Sequence, residues 1–492
     1  MREHLPALQV VIPLLGAVIC AFLRRGNLAW ALALAISLIM PVVAGLLLQQ
    51  VLSSGPISYE MGGWEPPFGI EYRVDVVNAF VLFLVSIIGA VIMPYARLSV
   101  AAEIAPERVP WFYTMYLLCL CGLLGITITN DAFNAFVFLE VSSLSTYTLI
   151  ALGKDRRALL AAYQYLIIGT IGATFYVVGV GFLYTMTGTL NLSDIAGRIG
   201  SIENSRPILA GLAFLTVGIS LKLALFPLHL WLPNAYAYAP STATAFLSAT
   251  ATKVAVYLLL RFLFSVFGVG FVFNELPVSE VLLLLSLAAM FGASIVAVFQ
   301  ENIKRMLAYS SVAQIGYITL GVALANKSGL TGGIVHLFNH ALMKGGLFLV
   351  MGAIVYRIGS VKIDDLAGIG RQMPLTMCAF VVAGLSIIGA PGTVGFISKW
   401  YLAAGSLELG LWWLAFLIVI SSLISVVYIG RVVEAAWFRE PSAAARKAKE
   451  PPLSMMGPML LLVASTIYFG IDTQLTAGIA ARAADILLMG LK

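Results

Sequence analysis

Glu140, Lys222, Lys253, Lys344 and Lys399 each stand well inside a long apolar run, with His336 and His340 beside Lys344. A charge near the centre of a bilayer costs on the order of 3 kcal/mol or more. Several such residues in one chain are hard to explain as packing, and an ionisable group inside a membrane span points first to function. Carboxylate, ammonium and imidazole groups have one ability in common: each holds or passes a proton. The chemistry suggested is the movement of protons or other cations.

Spacing sharpens the reading. Glu140 lies in NDAFNAFVFLEVSSLSTYTL, about nine residues past Asn130-Asp131, which at ~1.5 Å per helical residue is near mid-membrane. Lys222 sits in ISLKLALFPLHLWLP, where Pro227 and Pro233 predict a helix break just after the lysine. Broken helices are tolerated at membrane depth where they line a cavity, which is how transporters build ion sites. Lys399 follows Pro391, Gly392 and Gly395 in GAPGTVGFISKWYL, so a second lysine lies beside a second break. In VHLFNHALMKGG, His336, His340 and Lys344 recur at i, i+4 and i+8 and share one helical stripe. Imidazole titrates near neutrality and desolvation works against a lysine's charge, so such a stripe suits a proton relay. Lys253, in LSATATKVAVYLLLR, follows small residues that leave room for close packing or water.

Each residue also has a plainer reading. Glu140 and Lys222 could form a static salt bridge between two helices. Lys253 or Lys344 could snorkel to an interface. His229 in PLHLWLP and His336 could be structural hydrogen-bonders, and Asp131 reads more readily as a helix cap than as a relay member. Trp64, Trp111, Trp231 and Trp412 read as interfacial anchors.

These residues need a membrane scaffold to position them. Of 492 residues, 61% are hydrophobic and 11% charged, against about a quarter charged in soluble domains; the mean hydropathy is +0.98. The apolar runs are continuous and not alternating, so the spans are helices and not barrel strands. The expectation is an all-α polytopic protein of about fourteen spans: 5–23, 28–51, 74–97, 111–129, 131–152, 158–187, 208–228, 240–266, 277–300, 306–325, 329–356, 373–405, 411–437 and 454–472. The tail 474–490, of mixed polarity, is expected to lie on the membrane surface. The longest polar connections are 52–73 and 188–207. No stretch reads as a linker, so 1–492 is expected to be one transmembrane domain. The two expected breaks occupy matching places in five-span blocks at 111–266 and 277–437. An odd block length makes successive blocks face opposite ways, the layout of an inverted repeat.

Sixteen Lys and Arg residues fall in the odd-to-even loops, including Arg24, Lys154, Lys304 and Lys362. Eight fall in the even-to-odd loops and termini, among them Arg2, Arg73, Arg261 and Lys492. That bias places the odd-to-even loops in the cytoplasm and both termini outside. A net charge of +6, scattered through short loops, fits topology control and not nucleic-acid binding. The four cysteines, Cys20, Cys119, Cys121 and Cys378, sit in apolar segments without a CxxC pair and read as small buried residues. No cleavable signal, P-loop, dinucleotide fingerprint or catalytic triad is visible, so no cofactor or metal is expected.

The Glu140 segment, LKLALFPLHLWLPNAYAYAPS, LSATATKVAVYLLLR, QENIKRMLAYSSVAQIGY, VHLFNHALMKGGLFL and GAPGTVGFISKW together resemble the antiporter-like subunit family. Its members include the D-type component of Mrp-type sodium/proton antiporters and the large proton-channel subunits of respiratory complex I. The resemblance covers most of the chain and is strongest at 130–260 and 300–400. It implies fourteen helices, two inverted five-helix half-channels with broken helices 7 and 12, and a central hydrophilic axis. The family's acidic residue on the fifth span matches Glu140, and its lysines on the seventh, eighth and twelfth match Lys222, Lys253 and Lys399. A lysine on the twelfth span, the His340–Lys344 pair and the short C-terminus each differ from one complex I branch, so the Mrp D-type component is the best match. GAPGTVGF departs from the usual PP-containing sequence at that place. The resemblance implies a subunit of a cation/proton antiporter in a bacterial or archaeal cytoplasmic membrane, with other membrane subunits as partners and Na⁺ as the expected cation. The alternative is a pumping subunit of a complex I-like dehydrogenase or membrane-bound hydrogenase, in which case the chain is part of a translocase. A non-conducting scaffold is a third reading, which the intact charge row opposes.

Overall fold

The computed structural model describes residues 2–200, 202 and 205–489; Lys492 and the last residue of the 474–490 tail lie outside them. Among the described residues, thirteen helices are long and apolar enough to cross a membrane. The stretch expected as one span at 373–405 is instead two 15-residue helices, Pro374–Ile388 and Val394–Glu408.

The chain begins with α1 (Leu5–Phe22), α2 (Gly26–Ser54) and a two-stranded hairpin, β1 (Ile57–Glu60) with β2 (Glu71–Val74), paired antiparallel with Ile57 opposite Val74. There follow α3 (Val76–Glu103), α4 (Val109–Ile128), α5 (Ala132–Ala151), α6 (Arg156–Thr187) and the short α7 (Leu192–Ile199). Next come α8 (Arg206–Leu223), α9 (Trp231–Tyr238) and α10 (Ser241–Leu260), which runs on as a π-helical turn over Arg261–Val266. The second half holds α11 (Val278–Ala288), α12 (Ser294–Val298), α13 (Ile303–Leu324), α14 (Lys327–Ile358), α15 (Pro374–Ile388) and α16 (Val394–Glu408). The chain closes with α17 (Trp412–Phe438), α18 (Leu453–Ile471) and α19 (Gln474–Met489).

The helices sort by burial. The apolar windows of α10 and α13 are 94% buried, those of α17 and α18 only 33%. A helix apolar all round and buried belongs to the centre of a bundle; the exposed leucines, valines and phenylalanines of α2, α6 and α17 give the outer surface its lipid-compatible character. α14 packs against α10, α13, α15, α16, α18 and α19 and is the hub. Small residues set the closest contact elsewhere: a methyl group at Gly218 of α8 would stand 2.7 Å from the Gly172 carbonyl oxygen of α6.

Three expectations are corrected. Arg261, sorted with the loop charges, is buried at the end of α10, where its guanidinium meets the Asp75 carboxylate at 2.5 Å and takes in the Tyr257 hydroxyl at 3.0 Å. Trp231 is not an interfacial anchor: it is buried, stacks on Tyr165 at 3.7 Å between ring centroids, and donates to the Leu221 carbonyl. Cys378, read as buried, is exposed, whereas the other three cysteines are buried. The tail is a docked helix: α19 buries Ala480, Ala483, Ala484 and Leu487 against α14 and α3. Asp131 is the expected cap, accepting the Asn134 amide at 2.6 Å.

Candidate proton pathway

Lys222 occupies the last turn of α8. The helix stops because Ala224 takes a left-handed conformation (φ 61°) and Pro227 follows; Pro233 lies inside the first turn of α9 and breaks nothing. The Trp231 bond to Leu221 carries the chain across the gap. Lys222 is buried, its Nζ 3.9 Å from Glu140 Oε1 on α5, and donates to Ser143 Oγ at 2.6 Å. A cavity of about 20 Å³, room for one water, is lined by Ser143, Lys222 and Tyr165 and reaches Ala251 and Val254 of α10.

Lys253 sits between those two α10 residues and is 1% exposed. Its ammonium donates to the Ser248 carbonyl and, at 3.3 Å, to Thr252 Oγ1. The plainer reading, a lysine snorkelling to an interface, does not apply to it. α10, which carries Lys253, packs against α14, which carries His336, His340 and Lys344.

The stripe on α14 forms as the spacing predicts, with the two imidazole planes 10° apart and their centroids at 6.2 Å. The members differ in partners. His336 is fixed at both ring nitrogens, by Ser398 Oγ at 2.7 Å and Gln314 Oε1 at 3.0 Å. His340 is fully buried with neither nitrogen hydrogen-bonded among the described residues. Lys344 donates to the Leu307 carbonyl and to Ser310 Oγ, both at 2.9 Å, and Ser310 continues to Tyr428 OH at 2.9 Å.

Lys399 lies one turn into α16, immediately after the second break, where Gly389 and Gly392 have φ of 90° and 82°. Its ammonium donates to the carbonyls of Ile387 (2.9 Å) and Ile388 (3.0 Å) at the end of α15 and to Ser422 Oγ (2.8 Å), 4.7 Å above the Tyr317 ring. The freed carbonyls of a broken helix carry its negative dipole end, which favours a cation there. The two breaks therefore serve their lysines differently. Lys222 faces a carboxylate; Lys399 faces a helix terminus.

His229 stacks on Phe226 and has no partner on Nδ1 among the described residues. Sequence reasoning missed Ser143, Gln314, Ser398 and Ser422, because a serine or glutamine in an apolar span carries no signal until its partner is known. It also missed the Glu103–Ser241–Lys304 cluster: Lys304 counted as a loop charge, yet it is buried and donates to Ser241 Oγ at 2.8 Å, while Glu103 accepts from the Ser241 amide at 2.9 Å. Outside the spans, Glu71 is raised by burial but held below its usual carboxyl range overall by hydrogen bonds from Ser58, Asn130 and Asn191 and by Arg73. No cluster of three metal-ligating side chains occurs among the described residues.

The chain is a polytopic bundle with two broken helices and a row of buried lysines, and its relatives support a proton-translocating membrane subunit. Residues 129–425 match the family described as NADH:quinone oxidoreductase/Mrp antiporter, transmembrane, and the chain belongs to that family. It is 41% identical over 489 residues to NADH-quinone oxidoreductase subunit N of Desulforudis audaxviator, covering 96% of this chain and 97% of the relative. It is 28% identical to the D component of the Na⁺/H⁺ antiporter of Bacillus subtilis, covering 98% and 96%. The fold superposes on a chain of the Mrp complex from a Dietzia species with a TM-score of 0.91 at 25% identity, covering 99% and 97%.

Proposed function

We propose that the chain carries protons along Glu140, Lys222, Lys253, His336, His340, Lys344 and Lys399, as one subunit of an Mrp-like monovalent cation/proton antiporter. The observation that carries the reading is the row of four buried lysines, Lys222, Lys253, Lys344 and Lys399, with a carboxylate within 4.0 Å of Lys222 alone among the described residues. Uncompensated buried ammonium groups are costly, so the proton occupancy of each lysine depends on its neighbours. Glu140 favours the protonated form of Lys222; drawing the carboxylate away releases that proton toward the cavity and Lys253. From Lys253 the proton passes to the α14 stripe, and from His336 through Ser398 toward Lys399. The blocks 111–266 and 277–437 are the two half-channels, related by inversion, and both termini face outward. Na⁺ is the expected exchanged cation, and other membrane subunits complete the path.

A second reading is favoured by the 41% identity to a subunit N: the same row serves a redox-driven complex, with the electron chemistry on partner subunits. Everted vesicles bearing the whole complex separate the two. Collapse of an imposed pH gradient on adding Na⁺, K⁺ or Li⁺ supports the antiporter. Proton uptake driven only by NADH, reduced ferredoxin or hydrogen, with no response to any cation, overturns it in favour of the redox pump.

A further inference from the structure

On the face that carries Lys154 and Lys362, a cleft of about 670 Å³ opens between α3, the α5–α6 turn, α9, α13 and the end of α14. Exposed Lys154, Arg157 and Lys362 stand at its rim and buried Lys304 at its floor. There Lys304 Nζ donates to Ser241 Oγ at 2.8 Å and to the Ala239 carbonyl at 3.4 Å. Glu103 closes the same corner, accepting from the Ser241 amide and hydroxyl at 2.9 and 3.0 Å and from Ser99 Oγ at 2.8 Å. A cleft this size holds many waters, and its floor bears an acid and an amine that share the Ser241 hydroxyl.

Two helices run from the floor to the groups that hold the central lysines. Ser241 begins α10, and Ser248, whose carbonyl holds Lys253, lies about 10 Å further along the same helix. Lys304 begins α13, and Leu307, whose carbonyl holds Lys344, is one turn on. Thr242, buried beside Ser241, has no partner for its hydroxyl among the described residues, which suits a water there. Two helix starts thus lead from one polar corner to the groups that hold Lys253 and Lys344, on α10 and α14, which pack against each other.

We propose that this cleft is the aqueous mouth by which protons exchange between that face and the Lys253–Lys344 pair, with Glu103 and Lys304 as the proton-holding groups at its floor. The proposal rests on the proton-carrying reading above. The test uses the whole complex in everted vesicles, in a Cys378→Ser background, with Ala102→Cys placing a thiol in the cleft wall. A bulky, charged, membrane-impermeant thiol reagent should label Ala102→Cys from one side only and slow proton flux at least tenfold, leaving the background unaffected. Glu103→Gln or Lys304→Met should slow flux similarly in a complex that assembles normally. Full labelling without loss of flux, labelling from neither side, or full flux in both floor variants overturns the mouth. If flux survives plugging while Lys222→Ala still abolishes it, the mouth alone is wrong. If flux survives both, the pathway itself is wrong.

Discussion

Lys222 Nζ lies 3.9 Å from Glu140 Oε1 but only 2.6 Å from Ser143 Oγ. The nearest partner of the ammonium is a neutral hydroxyl, with the carboxylate just beyond direct hydrogen-bond reach. Such a pair feels the charge without being locked by it, which suits a lysine that must gain and lose a proton. A static bridge would be shorter, with the ammonium donating directly to the carboxylate.

Glu140→Gln removes the charge and keeps the shape. Expected is a normally assembled complex with proton flux reduced by about tenfold, or ~1.4 kcal/mol on the barrier. Unchanged flux in vesicles of matched protein content would assign Glu140 to packing.

The two histidines should separate in stability. His336 bonds both Ser398 and Gln314, so His336→Ala strips the buried Gln314 Oε1 of its partner, at about 1–3 kcal/mol, while Ser398 Oγ keeps the Gly395 carbonyl. His340→Ala breaks no hydrogen bond within the described residues. Both variants should lose transport, but thermal unfolding in detergent should show His336→Ala as the less stable. Equal melting temperatures would contradict the assigned partners.

The break beside Lys399 depends on Gly395. A methyl group there would fall 1.7 Å from the Ser386 carbonyl oxygen, a backbone atom that cannot swing aside. Gly395→Ala should force α15 and α16 apart, cost about 1–3 kcal/mol and pull the Ile387 and Ile388 carbonyls from the ammonium, with flux falling accordingly. Gly181→Ala on α6, where a methyl group meets nothing within 4 Å, is the neutral control.

Asp75→Ala tests the buried Asp75–Arg261 ion pair. Asp75 pairs with Arg261 and also caps α3 through the amides of Val77 and Asn78. Leaving Arg261 unpaired should destabilise the protein by about 3–5 kcal/mol, with about 1 kcal/mol more from the lost cap. A shift of under 1 kcal/mol by denaturation would show that water reaches the guanidinium.

The membrane class, the spans and the buried ionisable residues were legible in the sequence because each rests on a local property: an apolar run, a charge inside it, a proline or glycine beside it. The α14 stripe was legible because i, i+4, i+8 is a fact of helix geometry. Arg261 and Lys304 were misread for one reason. Each stands at the end of a span, where sequence cannot tell a loop charge from a buried one, and the partners that receive them, Asp75 for Arg261 and Ser241 for Lys304, are 186 and 63 residues away in the chain. Trp231 was misread likewise, since only the fold reveals that α9 is an internal half-helix stacked on Tyr165. The unequal partners of Lys222 and Lys399 were invisible, because both follow the same rule of a lysine next to a break.

The most direct test of the pathway is proton flux in everted vesicles carrying the whole complex, comparing wild type with Lys222→Ala and Lys399→Ala at matched assembly. The account predicts robust driven flux in wild type and its loss in both variants, one in each half of the row. Wild-type flux in either well-assembled variant would contradict it.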